Sequence, residues 1–289
     1  MNALTAPHAL APATAVPSPG WRAALRLGYA RRGARTVLAH RAHVGPLVVQ
    51  RPLYPEGEAV CHTILVHPPA GIAGGDELEV EVELGAGAHA LFTTPGAGKW
   101  YRSAGAAGRM VQRIAVADGG VCEWLPQESI VFDGALGELV TEVDLHGDAC
   151  FIGTEMSCFG RTGAGERFTR GALRLVTRIR RDGRSLWLER GCVDGGGALL
   201  ASPVGLGGAP VTGTLLAASP RVDPVLLAAC RACLPAAGEG ALTLLPGLLV
   251  ARYLGPACEP GRHWFAALWA QLRPALAARP MIVPRIWNT

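Results

Sequence analysis

The sequence predicts a mainly β protein whose strands pair antiparallel, followed by two α-helices near the C-terminus. Three observations support this fold class. Segments that alternate apolar and polar side chains recur at intervals of roughly 8–15 residues up to residue 190. Short turns rich in Asp and Gly separate many of these segments, as hairpins require. Helical patterns occur only after residue 220. No helix is expected between the strands, which argues against a parallel sheet built from βαβ units.

The clearest strand is residues 78–84, where four aliphatic side chains alternate with three glutamates. We interpret the glutamates as a solvated strand face rather than a metal-attracting one. Short strands are also expected between residues 21 and 54. Further strands are predicted at residues 60–66, 89–94, 109–117, 121–125, 139–145, 149–156, 172–180 and 186–190, with a strand pair at 242–254. The turns at residues 117–120, 146–148 and 181–184 are predicted to close hairpins.

Two helices are predicted in the last quarter of the chain. Asp223 is an N-cap and Pro224 suits the first helical position, so one helix should run from there to about residue 234. The second helix is predicted at residues 262–278, where apolar side chains form a stripe, and Pro274 should kink or interrupt it. The proline-broken but apolar tail after residue 279 is expected to pack against the domain.

The composition predicts one large domain at residues 21–289, preceded by a disordered lead-in at residues 1–20. With 49% hydrophobic and only 17% charged residues, the chain is apolar for a protein that works without partner proteins, and this composition predicts protein partners. The net charge is +4, Lys99 is the only lysine and no basic run is present, so nucleic-acid binding is not expected. A secretory signal and a membrane span are not recognised either, which predicts a cytoplasmic protein.

Patterns of nucleotide-binding proteins and hydrolases do not fit. Gly96-Ala97-Gly98-Lys99 lacks the earlier glycine and the following Ser or Thr of a phosphate-binding loop. A Gly-x-Ser-x-Gly nucleophile turn is absent from the sequence. An enzyme is therefore not predicted.

Several groups of metal-ligating residue types occur in the sequence. His40 and His43 would point to opposite faces of a strand. Cys61-His62 with His67 is a second candidate set. Cys230 and Cys233 lack a second ligand pair at zinc-site spacing, so a role in the core is preferred for them.

Acidic residues in apolar β segments are more suggestive, because a buried carboxylate is costly unless it is paired or binds a cation. Glu128 is the strongest candidate among them, because Gln127 and the apolar residues 130–132 flank it; the alternative for each is a carboxylate that accepts hydrogen bonds from loop amides. The candidates are Asp76, Glu128, Asp133, Glu155 and Glu189.

Seven motifs occur in a fixed order along the chain. Three of them dominate its first half: His-Pro-Pro-Ala-Gly-Ile-Ala-Gly-Gly-Asp (67–76), Thr-Thr-Pro-Gly-Ala-Gly-Lys-Trp-Tyr-Arg-Ser (93–103) and Trp-Leu-Pro-Gln-Glu-Ser-Ile-Val-Phe-Asp-Gly-Ala (124–135). The others are Ala-Arg-Arg-Gly-Ala-Arg-Thr (30–36), Ala-Arg-Tyr-Leu-Gly (251–255), Trp-Phe-Ala-Ala-Leu-Trp (264–269) with Leu-Arg-Pro (272–274) after it, and Pro-Arg-Ile-Trp-Asn-Thr (284–289).

These motifs resemble those of the urease accessory protein UreD (UreH) family. The resemblance covers nearly everything after Gly20, and the one departure noted is Ala70, where the family usually has glycine. It implies a β-helix-like stack of sheets with two helices and a non-catalytic role as a chaperone of metallocentre assembly. It also implies that the chain joins the F accessory protein and the GTPase G to apo-urease, as a 2:2 hetero-oligomer with the F protein.

In such proteins nickel is thought to pass through an internal tunnel to the urease active site, so no tightly bound cofactor is expected, only nickel in transit. Transient transfer favours oxygen and nitrogen ligands. We therefore hypothesise that Asp76, Glu128, Glu155 and His67 line the path. The alternatives are a metal-storage or structural zinc protein and a hydrolase without a recognisable motif.

Overall fold

The structure, a computed structural model, describes residues 20–288. The lead-in predicted for residues 1–20 lies outside this range apart from Gly20. The strands are β1 (Arg22–Arg32), β2 (Arg35–Val44), β3 (Val48–Val49), β4 (Val60–Val66), β5 (Glu77–Leu84), β6 (His89–Thr93), β7 (Gly98–Trp100), β8 (Gly108–Val116), β9 (Val121–Trp124), β10 (Ser129–Val131), β11 (Leu136–Leu145), β12 (Cys150–Phe159), β13 (Ala172–Arg181), β14 (Arg184–Asp194), β15 (Val211–Ala218), β16 (Glu239–Leu245) and β17 (Leu248–Gly255). The helices are α1 (Ala198–Ala201), α2 (Pro224–Arg231) and α3 (Cys258–Ala277).

The strands form two facing sheets. Sheet I has seven strands in the order β14-β13-β11-β8-β5-β1-β2. Sheet II has ten strands, eight of them in the order β16-β17-β15-β12-β9-β6-β4-β3. The short strands β7 and β10 complete sheet II, with β10 between β7 and the last residues of β12. The chain alternates between the sheets, so that β5, β8, β11 and β13 stack in sheet I while β6, β9 and β12 stack in sheet II.

This architecture confirms the mainly β, β-helix-like stack with helices near the C-terminus, but the expected largely antiparallel pairing is wrong for the centre of both sheets. Neighbouring strands from β1 across β5, β8 and β11 to β13 are parallel, and so are β4, β6, β9 and β12. Antiparallel pairs lie towards the ends, at β1–β2 and β13–β14 in sheet I. Parallel pairing needs a crossover, and here the strands of the opposite sheet supply it instead of helices.

Two of the three turns predicted to close hairpins instead carry the chain from one sheet to the other. Residues 117–120 connect β8 to β9 and residues 146–149 connect β11 to β12; only the turn between β13 and β14 closes a hairpin. The turns stack through their aspartates. Gly119 N donates to Asp148 Oδ1 at 2.7 Å and Asp148 N donates to Asp118 Oδ1 at 2.9 Å. The Asp/Gly composition therefore fits stacked corners as well as hairpins.

The outer face of sheet I is a ladder of opposite charges. Arginines on β1, β8 and β13 face carboxylates on β5 and β11 across the parallel strands; the pairs include Arg22–Glu77, Arg26–Glu81, Arg113–Glu79, Arg109–Glu138, Arg178–Glu142 and Arg180–Asp144. The prediction of a solvated glutamate face on β5 is confirmed, and opposite charges on adjacent strands favour this register.

Helices α2 and α3 cover the outer face of sheet II, whereas the short α1 contacts β14 of sheet I. Asp223 caps α2 as predicted, since its Oδ1 accepts Leu226 N at 2.7 Å, but α2 ends at Arg231. Helix α3 starts four residues earlier than predicted, at Cys258, and continues past Pro274 to Ala277. The described part of the tail packs as expected, because Trp287 Nε1 donates to Thr93 Oγ1 at 2.7 Å. No described helix has both the length and the apolar character that crossing a membrane requires.

A fully buried charged cluster attaches α3 to sheet II; we call it the Arg273 cluster. Arg273 Nε donates to Glu123 Oε2 at 3.0 Å and Nη2 donates to Glu56 Oε1 at 2.7 Å. His89 and His62 each place Nε2 2.6 Å from Glu123 and Glu56 respectively. Trp269 Nε1 on α3 adds a bond of 2.5 Å to Glu123, and Arg273 Nη1 donates to Pro280 O. Each charge in the cluster thus has a partner, as buried ions require.

Candidate functional site

A cavity of about 440 Å³ lies between the two sheets. Most of its wall is apolar and includes Leu78 and Leu139 from sheet I and Phe151 and Leu216 from sheet II. The loop around residues 94–100 also lines it. An apolar space between two sheets is normally filled by side chains, so the polar groups that line this cavity are informative.

A row of polar side chains crosses the sheet I wall at one level. Gln112 pairs in register with Thr141, Thr141 with Thr177, and Thr177 with Glu189, on the consecutive strands β8, β11, β13 and β14. All four line the cavity, and we call them the polar row. Gln112 and Thr141 are buried, and Thr141 Oγ1 donates to Gln112 Oε1 at 3.2 Å. Elsewhere on these strands the inward positions are mainly aliphatic, for example Ile114 and Val143.

The sheet II wall contributes a second set of polar groups. Glu155 on β12, Thr214 on β15 and Arg252 on β17 are in register on adjacent strands. Arg252 Nη1 donates to Thr214 Oγ1 and Nη2 donates to Glu189 Oε1, both at 2.7 Å. The second bond joins sheet II to the edge strand of sheet I. Glu155 and Glu189 thus meet at one end of the polar row, and we call them the acid pair.

The electrostatics of the acid pair are unusual. Burial and, to a smaller extent, the nearby charge of Glu189 together raise the pKa of Glu155 to about 7, while Arg252 acts in the opposite direction. Close to neutral pH, Glu155 therefore exchanges readily between its protonated and ionised forms. A carboxyl group with such a perturbed pKa, at a cavity wall beside a second carboxylate, is a candidate functional group.

His67 is the second predicted residue that lines the cavity. It follows β4 and precedes the first Pro/Gly-rich loop, and it shares the cavity with Lys99 and Gly98. Burial lowers the pKa of His67, while Asp76 acts to raise it. A lowered pKa favours the neutral imidazole, which is the form that binds metal ions.

The other two predicted residues, Asp76 and Glu128, are outside the cavity wall. Asp76 Oδ1 accepts Trp21 N at 2.9 Å and Oδ2 accepts Ala73 N at 2.8 Å, so this buried carboxylate holds a loop together. Glu128 lies 3.5 Å from Arg262 of α3, on the helical side of sheet II. The structure therefore brings Glu155 and His67 to one cavity but not Asp76 or Glu128.

Asp133, a further candidate, has a structural role. Arg170 donates to its Oδ2 at 2.7 Å and, with backbone bonds from Thr169 and Arg170, keeps the pKa of Asp133 well below its ordinary value.

The other metal candidates are not brought together either. His40 and His43 pair with Gly28 and Leu25 at an odd spacing, which puts them on opposite faces of β2 as predicted. Cys230 is a residue of α2 and is buried in the core on the inner side of that helix. Among residues 20–288, no group of three or more His, Cys, Asp or Glu side chains is arranged to hold a metal ion.

Sequence reasoning missed most of the polar row and all of the Arg252 contacts. Glu189 was noted only as an acidic residue in a β segment. A signal was present, because Gln112, Thr141 and Thr177 each interrupt an aliphatic inward face. Its significance depends on the parallel register that places the three side by side.

Comparison with known proteins identifies the family. The family model described as UreD urease accessory protein matches residues 22–288. The chain belongs to the UreD family of urease accessory proteins. It is 71% identical to the urease accessory protein UreD of Azoarcus sp. (strain BH72) over the whole length of both chains. It is 54% identical to UreD of Dechloromonas aromatica, covering 94% of this chain and 96% of the relative.

A third relative, UreD of Nitrosococcus oceani, is 49% identical over 93% of this chain and 90% of its own length. The resemblance inferred from the seven motifs is thereby confirmed. The cavity and the polar row are consequently features of a UreD-family chain, and the name of the family makes the chain an accessory protein of urease.

Proposed function

We propose that this UreD-family chain is a non-catalytic urease maturation factor through which nickel passes on its way to apo-urease. In this proposal it joins the F accessory protein and the GTPase G to apo-urease, and GTP-dependent insertion follows. Nickel is the cargo and no tightly bound cofactor is required. A cytoplasmic location and a 2:2 assembly with the F protein remain predictions, the latter to be checked by light scattering of the copurified complex.

The observation that carries the proposal is the polar row, which crosses an otherwise apolar cavity and ends at the acid pair. Crossing a dry interior is costly for a divalent cation unless oxygen ligands replace its water. Threonine hydroxyls, an amide and carboxylates supply such oxygens without a complete cage. Ligands of this kind bind nickel without holding it, whereas a tetrahedral set of thiolates would retain a metal.

His67 extends this set of ligands to another part of the cavity. Its imidazole is biased towards the neutral form, so it is suited to take a cation from water. We therefore place His67 and Glu155 on the proposed path. Asp76 and Glu128 stay candidates only for steps outside the cavity.

The test is coexpression of the chain with the F and G proteins and apo-urease. Glu155→Gln and Glu189→Gln together should leave complex formation intact and lower nickel-dependent urease activity about tenfold or more, as loss of metal-facing groups does elsewhere. The matched control is Glu81→Gln on the outer face of sheet I, which should change neither readout. Normal activation by the double variant, with full assembly, would contradict the path.

The same assay separates the remaining possibilities. Asp76→Ala and Glu128→Ala test the two residues outside the cavity. A storage or zinc protein would instead retain stoichiometric metal after dialysis. Failure of the wild-type chain to join the F protein or to support activation would contradict the maturation role itself.

A further inference from the structure

The guanidinium group of Arg252 occupies the place at the acid pair that a metal cation would take. It donates to Glu189 Oε1 at 2.7 Å, and its charge acts on Glu155 as well. Thr214 lies beside Glu155 in sheet II, and its Oγ1 accepts a hydrogen bond from Nη1 of the same guanidinium. The acid pair therefore has a resident counter-cation supplied by the chain.

This counter-cation does not neutralise the site. Two carboxylates face one guanidinium, which is hydrogen-bonded to Glu189 and acts on Glu155 through its charge. The acid pair thus keeps an unmet demand for positive charge. A divalent cation carries the two positive charges that would balance both carboxylates.

The Arg252 side chain can also leave the acid pair by turning towards solvent. It is 41% exposed, and its guanidinium lies 5.5 Å from the centre of the Trp187 ring. Trp187 is on β14, the edge strand of sheet I, and a partly exposed arginine that stacks on such a ring can turn towards solvent and keep that contact. Breaking the hydrogen bond between Arg252 and Glu189 therefore does not require the core to rearrange.

We infer that the Arg252 guanidinium competes with a divalent cation for Glu155 and Glu189, and so controls how readily this end of the polar row accepts metal. The inference rests on the proposed nickel path and adds its regulation. With Arg252 in place, the acid pair is closed by an internal ion pair. Arrival of the metal exchanges the guanidinium for the cation, and departure of the metal restores the ion pair. Arg252 is thus a positioning residue that keeps nickel binding weak enough for release.

The experiment is calorimetric titration of the purified chain with NiCl2. Arg252→Met keeps the length of the side chain and the packing on Trp187 but removes the charge. It should tighten nickel binding about tenfold, which is the effect of removing one interaction equivalent to a pKa unit. Arg180→Met, which removes an arginine paired with Asp144 on the outer ladder, is the matched control and should not change the affinity.

Two further variants make the outcome decisive. Glu189→Gln should weaken nickel binding in both the wild-type and the Arg252→Met background. Equal or weaker binding by Arg252→Met, with loss of binding by Glu189→Gln, would overturn the role of Arg252 and leave the nickel path standing. Unchanged binding in both Glu155→Gln and Glu189→Gln would instead overturn the path. If Arg252→Met does not fold, Arg252→Lys takes its place, since it loses the two-pronged contact and should tighten binding by a smaller factor.

Discussion

The Arg273 cluster and the acid pair with Arg252 both place two glutamates around one arginine, yet their environments differ. In the Arg273 cluster the guanidinium is fully buried, and two histidines, an indole and a backbone carbonyl complete the hydrogen bonds. At the acid pair the arginine is 41% exposed, and the two glutamates line a cavity. The pKa of Glu56 and of Glu123 is lowered, whereas that of Glu155 is raised.

The difference shows how the same residue types can serve structure in one place and, in our proposal, metal transfer in another. A carboxylate whose hydrogen bonds are all met contributes to folding and does not exchange partners easily. A carboxylate beside a second carboxylate and a shared cation remains available to a proton or a metal. The degree of pairing, rather than burial alone, distinguishes the two sites.

The largest effect is expected from Arg273→Met. This change leaves Glu56 and Glu123 buried without their cation and should lower the free energy of unfolding by about 3–5 kcal/mol. Urea denaturation followed by circular dichroism measures it. Arg180→Met on the outer ladder is the control and should leave the midpoint nearly unchanged, because exposed ion pairs contribute little. Equal losses in both variants would remove the distinction between buried and exposed pairs.

A pH dependence of opposite sign is expected at the two sites. Burial acts to raise the pKa of Glu56, but its bonds to His62 and Arg273 prevail and lower it to about 2. The stability that Glu56 contributes is therefore present above the ordinary glutamate pKa and is lost as the pH falls towards 2. Denaturation curves of wild type and Glu56→Gln should converge in acid and separate at neutral pH, with wild type the more stable.

Glu155 should behave in the opposite way. Because its pKa is raised to about 7, its protonated form favours the folded state at low pH, and this contribution is lost as the pH rises through 7. Glu155→Gln should therefore match wild type near pH 5 and be the more stable protein at pH 8. Urea midpoints at the two pH values check this, and a variant that is less stable at pH 8 would show that the ionised carboxylate is well paired.

The smallest effect concerns the end of the helix that carries Arg273. Ala278 follows α3 with φ of 53°, a left-handed conformation that glycine adopts without cost. Ala278→Gly should stabilise the chain by about 1 kcal/mol, while Ala275→Gly inside the same helix should destabilise it by a similar amount. The pair of variants measures the contribution of the helix end separately from that of the buried charges, by urea denaturation at pH 7.

The sequence predicted the positions of single strands and helix caps better than it predicted which strands pair with each other. The strand at residues 60–66 and the N-cap at Asp223 were predicted as they occur, because periodicity and capping are local properties. The parallel pairing was not predicted. Strands β8 and β11 become neighbours in sheet I because the chain passes through sheet II between them, and no local sequence pattern reveals the length of that passage. The very short strands β7 and β10 lie in Pro/Gly-rich or turn-like segments, which concealed them.

The same reason explains the site. Glu155 and His67 could be selected because they are ionisable residues in apolar surroundings. Thr141 and Thr177 could not, since a threonine on a strand is ordinary until the register places it beside other polar groups. Asp76 and Glu128 were selected by the same rule as Glu155, but the local bonds of Asp76 and the ion pair of Glu128 with Arg262 lie outside the cavity.

A titration of the glutamate side chains by carbon-13 NMR tests the account most directly. With Glu155→Gln used to assign the signal, we predict that one carboxyl carbon of the wild-type chain titrates near pH 7 and that adding Ni²⁺ perturbs this signal first. Titration of Glu155 near 4.5, the ordinary value for glutamate, with no selective response to Ni²⁺, would contradict the claim that the acid pair is the under-paired, metal-accepting site of the molecule.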